Sequence, residues 1–305
     1  MRKLRVGIVG LGNIAQKAYL PILSKTDDWL LIGAFSPNQA KAKIICDKYR
    51  ITLFSNIQKL AECCDAIFVH SSTSSHFQII HQLLLMGVHV YVDKPLAETL
   101  EQSERLLDLA HQKKLALMVG FNRRFAPFYI DLKKELKQLA SLRMQKNRSN
   151  SVGPYDVSFT LLDDYLHVVD TAIWLGGTKA TLTSGSVIET DKKELLYAEH
   201  HFQLLNCWIT TSMHRRSGSS QEQVIAIDDG TTYQVTNMNH WHTENISGIN
   251  EKLPSTWNSI LIQRGFDGAI RHFIKAISNE TFPDISGEQA ILAQQIIEKI
   301  LHSYH

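Results

Sequence analysis

The sequence predicts an α/β chain of two domains: a doubly wound parallel sheet, then an α+β domain built on a mostly antiparallel open sheet. Three observations predict it. Apolar strands alternate with helical patterns through the first 120 residues, and repeated βα units of this kind pack helices on both faces of a parallel sheet. A glycine-rich turn follows the first strand directly. After Gly120 the pattern changes, and from Ala180 to Asn237 strands succeed one another without helices between them, which argues for an antiparallel or mixed sheet. With 305 residues the chain is long enough for two domains, expected at 1–122 and 123–305.

The first strand is Leu4–Val9, β-branched and apolar. Leu30–Phe35 reads as a buried second strand, Asn38–Tyr49 as a helix, and Thr52–Phe54 as a short third strand before a helix ending near Cys63. Ala66–Val69 is the fourth strand. Ser75–Met86 is a helix stopped by Gly87, a good C-cap residue. Val88–Val92 is the fifth strand and Leu115–Val119 the sixth. Between them Thr99 caps a helix, with Gln102 three residues on completing a capping box. In the second domain Pro127–Leu139 reads as helix, Ser141–Lys146 as strand and Asp163–Trp174 as helix. Strands with turn signals such as Asp228-Asp229-Gly230 fill Ala180–Asn237, and Asn239–Trp257 reads as irregular and polar. Helices at Ser259–Ile277 and Gly287–Leu301 close the chain, the latter capped by Ser286 with Gln289 placed as in a capping box.

The turn after the first strand is Gly10-Leu11-Gly12-Asn13-Ile14-Ala15. Strand, G-x-G-x-x-A and helix start, in that order, form the context in which the glycines mean dinucleotide binding, as in a Rossmann fold. Gly10 permits the tight turn, Gly12 lets a pyrophosphate approach the backbone, and Ala15 lets the helix pack on its strand. The phosphates would sit on the first helical N–H groups, at Asn13 and Ile14, where the helix dipole favours negative charge. The second strand ends Phe35-Ser36-Pro37-Asn38, without the acidic residue that usually accepts from an NAD ribose. A carboxylate would repel a 2′-phosphate, so its absence, with Ser36 in its place, favours NADP slightly over NAD.

Bulk properties narrow the partners. Lys and Arg number 32 against 30 Asp and Glu, a net charge of +2, and nothing electrostatic recommends nucleic acid or a membrane surface. Cys46, Cys63, Cys64 and Cys207 show neither C-x-x-C spacing nor a disulfide framework and fit a reducing compartment. No secretory signal or apolar run of spanning length is evident, so a cytoplasmic location is expected. Lys133, Lys134, Lys137, Arg143, Lys146 and Arg148 form a local basic excess, read as a solvated helix face and strand end rather than a phosphate site. His200–His201 and His240–His242 lack a third ligand of suitable spacing, and no metal is expected.

Three places could carry chemistry. The fourth strand runs into His70-Ser71-Ser72-Thr73-Ser74-Ser75-His76, where small hydroxyl residues allow close approach, although Ser74 or Ser75 would also serve as a helix cap. The fifth ends Asp93-Lys94-Pro95; an ammonium at the mouth of a nucleotide cleft would stabilise negative charge developing on a substrate oxygen. In the second domain Asp163, His167 and Asp170 are spaced i, i+4 and i+7, one face of an otherwise apolar helix. A His beside a carboxylate suits a general base near neutral pH and equally suits a satisfied core position.

Together these motifs resemble the Gfo/Idh/MocA family of NAD(P)-dependent sugar and polyol oxidoreductases. The resemblance rests on the glycine turn, on Asp93-Lys94-Pro95 in place of the family's Glu-Lys-Pro, on Gly120-Phe121-Asn122-Arg123-Arg124-Phe125, and on Asp163-x-x-x-His167-x-x-Asp170. Stretches such as Val69-His70-Ser71-Ser72-Thr73 are similar to the YceM/MviM type within it. The resemblance implies that Lys94 contacts the substrate hydroxyl and orients the nicotinamide, that His167 is the general acid/base and that Asp163 is its companion. It implies that Asn122 and the loop Ser71, Ser72, Thr73 to His76 contact cofactor, and that subunits pair as dimers or tetramers through the exposed sheet face. The expected activity is hydride transfer between nicotinamide and a hydroxyl-bearing carbon of a sugar-like substrate. The alternative is a non-catalytic NAD(P)-binding sensor, favoured by Tyr165 where the family usually has Gly.

Overall fold

The computed structural model describes residues 2–25 and 27–304. Its backbone divides into two units, one comprising 1–121 with 267–291 and the other 122–266 with 292–305. The expected domains, 1–122 and 123–305, took no account of the return of 267–291 to the first unit. That return has an apolar cause: Phe273 packs edge-on against Phe68 and Tyr91, with ring centroids 5.5 and 5.6 Å apart.

The first unit is a six-stranded parallel sheet of β1 (Leu4–Val9), β2 (Trp29–Phe35), β3 (Thr52–Leu53), β4 (Ala66–Val69), β5 (His89–Val92) and β6 (Leu117–Val119), in the order β3-β2-β1-β4-β5-β6. This is the doubly wound order whose direction reverses beside β1. Every residue of β4 is buried, as expected of a strand covered on both faces. β2 is not buried throughout, since Leu30 is 53% exposed. Helices Gln39–Tyr49 and Leu100–Lys113 form where the pattern predicts them, and a third spans Thr73–Leu85. The Thr99 side chain accepts from the Gln102 amide. The helix after β4 starts two residues earlier than expected, with Ser72 at its N-cap, so neither Ser74 nor Ser75 is the cap.

Among the described residues of this unit one buried side chain has no hydrogen bond. His70, at the end of β4, is 3% exposed and stacks on Tyr19 with centroids 3.8 Å apart, and neither ring nitrogen has a partner. Burial, with His76 adding to it, pushes its pKa down to about 3.

The second unit is an eight-stranded mixed sheet of β7 (Ser141–Asn147), β8 (Thr181–Glu189), β9 (Leu195–Leu204), β10 (Cys207–His214), β11 (Gln221–Asp228), β12 (Thr231–Thr236), β13 (His240–Asn245) and β14 (Gly248–Lys252). Only the β7–β10 pairing is parallel. The β13–β14 hairpin corrects the irregular reading of Asn239–Trp257. Its edge strand β14 is exposed at every position, so no apolar alternation marked it. The helix at Pro127 ends at Glu135 rather than Leu139 because Asp228 takes the Lys137 and Gln138 N–H groups. The Ser259–Ile277 helix is two helices, Ile260–Gln263 and Phe266–Ser278, broken at Gly265. Gly265 has φ +79° and sits so close to the 122–126 backbone that a Cβ would lie 2.1 Å from the Asn122 carbonyl oxygen. The last helix is Glu288–Tyr304, and before it the Ser286 hydroxyl donates to the Pro283 carbonyl at 2.6 Å.

A helical run lies on the buried sheet face and differs from plain α geometry: Val157–Thr160, a π turn at Leu161–Tyr165, then Leu166–Gly176. Tyr165 is fully buried, and its hydroxyl meets His200 Nδ1 at 2.9 Å and Thr211 Oγ1 at 2.7 Å. Burial pushes the His200 pKa down to about 4.

Two outcomes test these packings. An unfolded His binds a proton near pH 6.5, while folded His70 refuses one until about pH 3. The His70 contribution is therefore whole above pH ~6.5 and is lost as pH falls through that window, at about 1.4 kcal/mol per unit. His70→Phe should leave stability at pH 7.5 within about 1.5 kcal/mol and flatten the fall of the thermal midpoint between pH 6 and 4; parallel curves would refute the assignment. Tyr165→Phe strips partners from two buried polar side chains and should cost about 1–3 kcal/mol in chemical denaturation.

Candidate active site

The glycine turn in the first unit fits a dinucleotide. Gly10 has φ +92°, and a Cβ there would stand 2.6 Å from the His70 carbonyl carbon and the Ser71 nitrogen, so only glycine serves. Its own N–H donates to the Phe35 carbonyl at 2.9 Å, holding the turn against the end of β2. Gly12 is the opposite case: nothing lies within 4 Å of where its Cβ would be. A helical run over 13–23 follows, so Asn13 and Ile14 begin a helix next to that uncrowded position, and its first N–H groups have no partner within the helix. These groups could hold the pyrophosphate.

The other first-unit candidates gather at the same carboxyl edge, after β2, β4 and β5. Ser36 is half-buried after β2, and its carbonyl accepts from Gln39 Nε2 at 2.9 Å. Ser71, Ser72 and Thr73 lead into the helix after β4, and Ser75 Oγ donates to Ser71 Oγ and to the Ser72 carbonyl, both at 2.8 Å. His76 is buried, with Nδ1 2.9 Å from the Pro95 carbonyl and Nε2 3.2 Å from the Ser71 carbonyl. Its ring therefore ties the β4 loop to the turn after β5. Asp93 and Lys94 are half-buried in that turn, and the Lys94–Pro95 bond is cis. The Tyr19 hydroxyl donates to Asp93 Oδ1 at 3.3 Å and bonds the Tyr91 hydroxyl at 3.2 Å. Burial pushes both phenols up, so they remain protonated at neutral pH.

Asn122 groups with the second unit, where its side-chain amide donates to the Arg264 carbonyl at 2.7 Å. The two arginines after it are buried anchors. Arg123 forms a bidentate pair with Glu222 at 2.8 and 2.7 Å, and Arg124 one with Asp170 at 3.1 and 2.5 Å. The Arg124 pair corrects the single polar stripe expected of Asp163, His167 and Asp170. Asp170 is 2% exposed and belongs to the ion pair, whereas Asp163 and His167 are half-buried. The π turn lies between α segments at Asp163, and turns of this kind recur at functional sites.

A cavity of about 430 Å³ opens at Asp163, lined also by Asp164, Arg215, Asn150 and Ser151 and by the stacked rings of Tyr155 and Phe159, 4.2 Å apart. Next to it Asp164 collects Lys146, Arg215 and, at 3.5 Å, Arg148. Burial pushes the Asp164 carboxyl up, but these cations outweigh burial and hold it well below the carboxylate range. The solvated reading of the basic excess is therefore wrong for Lys146, which is 5% exposed. Its signal was in the sequence: Lys146 shares the buried phase of β7 with Leu142 and Met144, as Glu222 does on β11 with Val224 and Ala226. A charge at an apolar phase predicts a buried partner. Tyr165, the feature that favoured a sensor, spends its ring and hydroxyl on the helix–sheet contact.

Among the described residues no group of three or more His, Cys, Asp or Glu could hold a metal ion. Nor, among the described residues, is any helix long and apolar enough to cross a membrane. The four cysteines are free.

Comparisons with known proteins agree with this architecture. Residues 4–121 match the model of the oxidoreductase family with an NAD-binding Rossmann fold, Gfo/Idh/MocA, and residues 127–246 match the YceM-like C-terminal domain. YceM of Salmonella typhimurium is 56% identical over 300 residues, covering 98% of each chain. The crystal structure of the dehydrogenase MviM from Clostridium difficile superposes with a TM-score of 0.97 at 45% identity, covering 98% of this chain and 99% of that one. An inositol 2-dehydrogenase/D-chiro-inositol 3-dehydrogenase of Shouchella clausii is 29% identical over 183 residues, 56% of this chain and 53% of that protein. The chain belongs to the Gfo/Idh/MocA family of NAD-binding oxidoreductases and carries that family's YceM-like C-terminal domain.

Proposed function

We propose that this oxidoreductase acts on the CH–OH group of a sugar- or polyol-like substrate, with Lys94, His167 and Asp163 as its catalytic residues. The observation that carries the proposal is the end of β5, where Lys94 stands beside a carboxylate tethered by Tyr19, on the sheet edge that bears the open Gly12 turn. The nicotinamide, when bound, supplies the hydride acceptor or donor. In the oxidation direction Lys94 donates a hydrogen bond to the substrate oxygen and stabilises the alkoxide as charge develops. His167 takes the hydroxyl proton, and Asp163 holds the imidazole or a neighbouring hydroxyl. The hydroxyl, amide and aromatic lining of the cavity at Asp163 supports a polyhydroxylated substrate. We assign Gly10, Gly12, Asn13, Ile14, Ser36, the Ser71–Thr73 turn, His76, Asp93 and Asn122 to the cofactor. Exposed Trp208 and Ile227 on the outer sheet face support pairing of subunits there.

Following absorbance at 340 nm across sugars, inositols and their oxidised forms should reveal turnover of at least one of them. Lys94→Ala should then lower turnover by about 10²-fold or more while leaving cofactor affinity within about 3-fold; near-normal turnover would remove Lys94 from the mechanism. Because no carboxylate follows β2, NADPH should bind more tightly than NADH in calorimetry. Ser36→Asp should reverse that order by about tenfold or more, equivalent to ~1.4 kcal/mol, and equal affinities throughout would discard Ser36 as the discriminating position.

A further inference from the structure

In the second unit a separate cavity of about 140 Å³ is lined by Lys146, Arg148, Arg123, Arg264, Ser220 and Asn237, among others. Its charges do not cancel. Arg123 is neutralised by Glu222 in a bidentate pair. Lys146, Arg148 and Arg215 all converge on the single carboxylate of Asp164, which can balance only one of them. Lys146 and Arg215 are largely withdrawn from water, with side chains 7% and 14% exposed. Buried charge of one sign without compensation is costly, so the site is incomplete as a set of protein groups. Arg264, also in the lining, is exposed, so water screens its charge and it counts little in this balance.

We propose that this cavity is an anion subsite that takes the phosphate group of a phosphorylated substrate. A phosphate monoester carries a charge of about −1.5 to −2 at neutral pH, which matches the surplus better than a carboxylate does. It also offers three acceptor oxygens to Lys146, Arg148 and the Ser220 hydroxyl. The volume is several times the ~30 Å³ that one water occupies in the liquid, room for a compact anion. Burial together with the Arg123 charge brings the Lys146 ammonium down to about 8, as expected of a cation held in readiness for a counter-charge. Asp164 links the two cavities, since it and Arg215 line the one at Asp163 while Lys146 and Arg148 line this one. A substrate spanning both would leave its hydroxyl carbons toward Asp163. The inference rests on the reading that the second unit receives the substrate.

Inorganic phosphate is the probe, titrated by calorimetry into the full chain at pH 7, with ionic strength held constant by chloride. Saturable binding is expected, weakened about tenfold by Arg148→Ala and more by Lys146→Met, and unchanged by Lys134→Ala on an exposed helix face. Lys146→Met can disturb folding because it alters packing at a buried position of β7. Arg148, whose side chain is 40% exposed, avoids that difficulty. No saturable phosphate binding, wild-type affinity in Arg148→Ala, or acetate binding as tightly as phosphate would each overturn the subsite. The measurement needs neither cofactor nor turnover, so its failure is distinct from failure to oxidise any sugar.

Discussion

The organising constraint of the second unit is that charge taken out of water must meet its opposite. Arg123, Arg124 and Lys146 are all nearly buried, and each has a carboxylate: Glu222, Asp170 and Asp164. Removing one partner from such a pair would strand the other in a medium that solvates it poorly, at a cost of about 3–5 kcal/mol. The pairs therefore fix where the segment after β6 lies on the sheet and where the helical run over 157–176 sits. Around Asp164 the balance fails, and three cations share one carboxylate. Cores avoid that arrangement, whereas sites for anionic ligands call for it.

The first unit obeys a different constraint, the approach of backbone to backbone. Gly10 is pressed against the chain leaving β4 so closely that any side chain would collide, while Gly12 two residues later faces nothing. A turn crowded at one glycine and uncrowded at the next leaves a ligand room to approach its backbone. At the neighbouring strand end the Tyr19 hydroxyl donates to Asp93 and is itself bonded to the Tyr91 hydroxyl. The motif's departure from Glu to Asp thus comes with its own support. The shorter carboxylate is reached by a tyrosine from the helical run that the glycine turn begins.

Family membership and these local geometries support one chemistry from two directions. The family explains why an NAD-binding sheet precedes a domain of this topology. The geometry explains what the family's motif residues do in this chain: Arg124 and Asp170 stabilise, and His76 braces a turn. Tyr165 is accommodated where the family usually has glycine because its hydroxyl finds His200 and Thr211 inside the helix–sheet contact.

Much of this was legible in the residues alone. The strands of the first sheet, their parallel arrangement and the glycine turn follow from apolar runs, caps and φ requirements, which are local properties that a short window carries. Asp93-Lys94-Pro95 fell at a strand end for the same reason. What the sequence left open depends on partners remote in the chain. The β13–β14 hairpin is an edge whose residues face water, so no alternation announced it. The separation of Asp170 from Asp163 and His167 required knowing that Arg124, 46 residues away, enters the core beside it. Lys146 looked like surface until its strand phase was set against Asp164 and Arg215. Periodicity tells which side of an element is buried; only the packed chain tells which charge waits there.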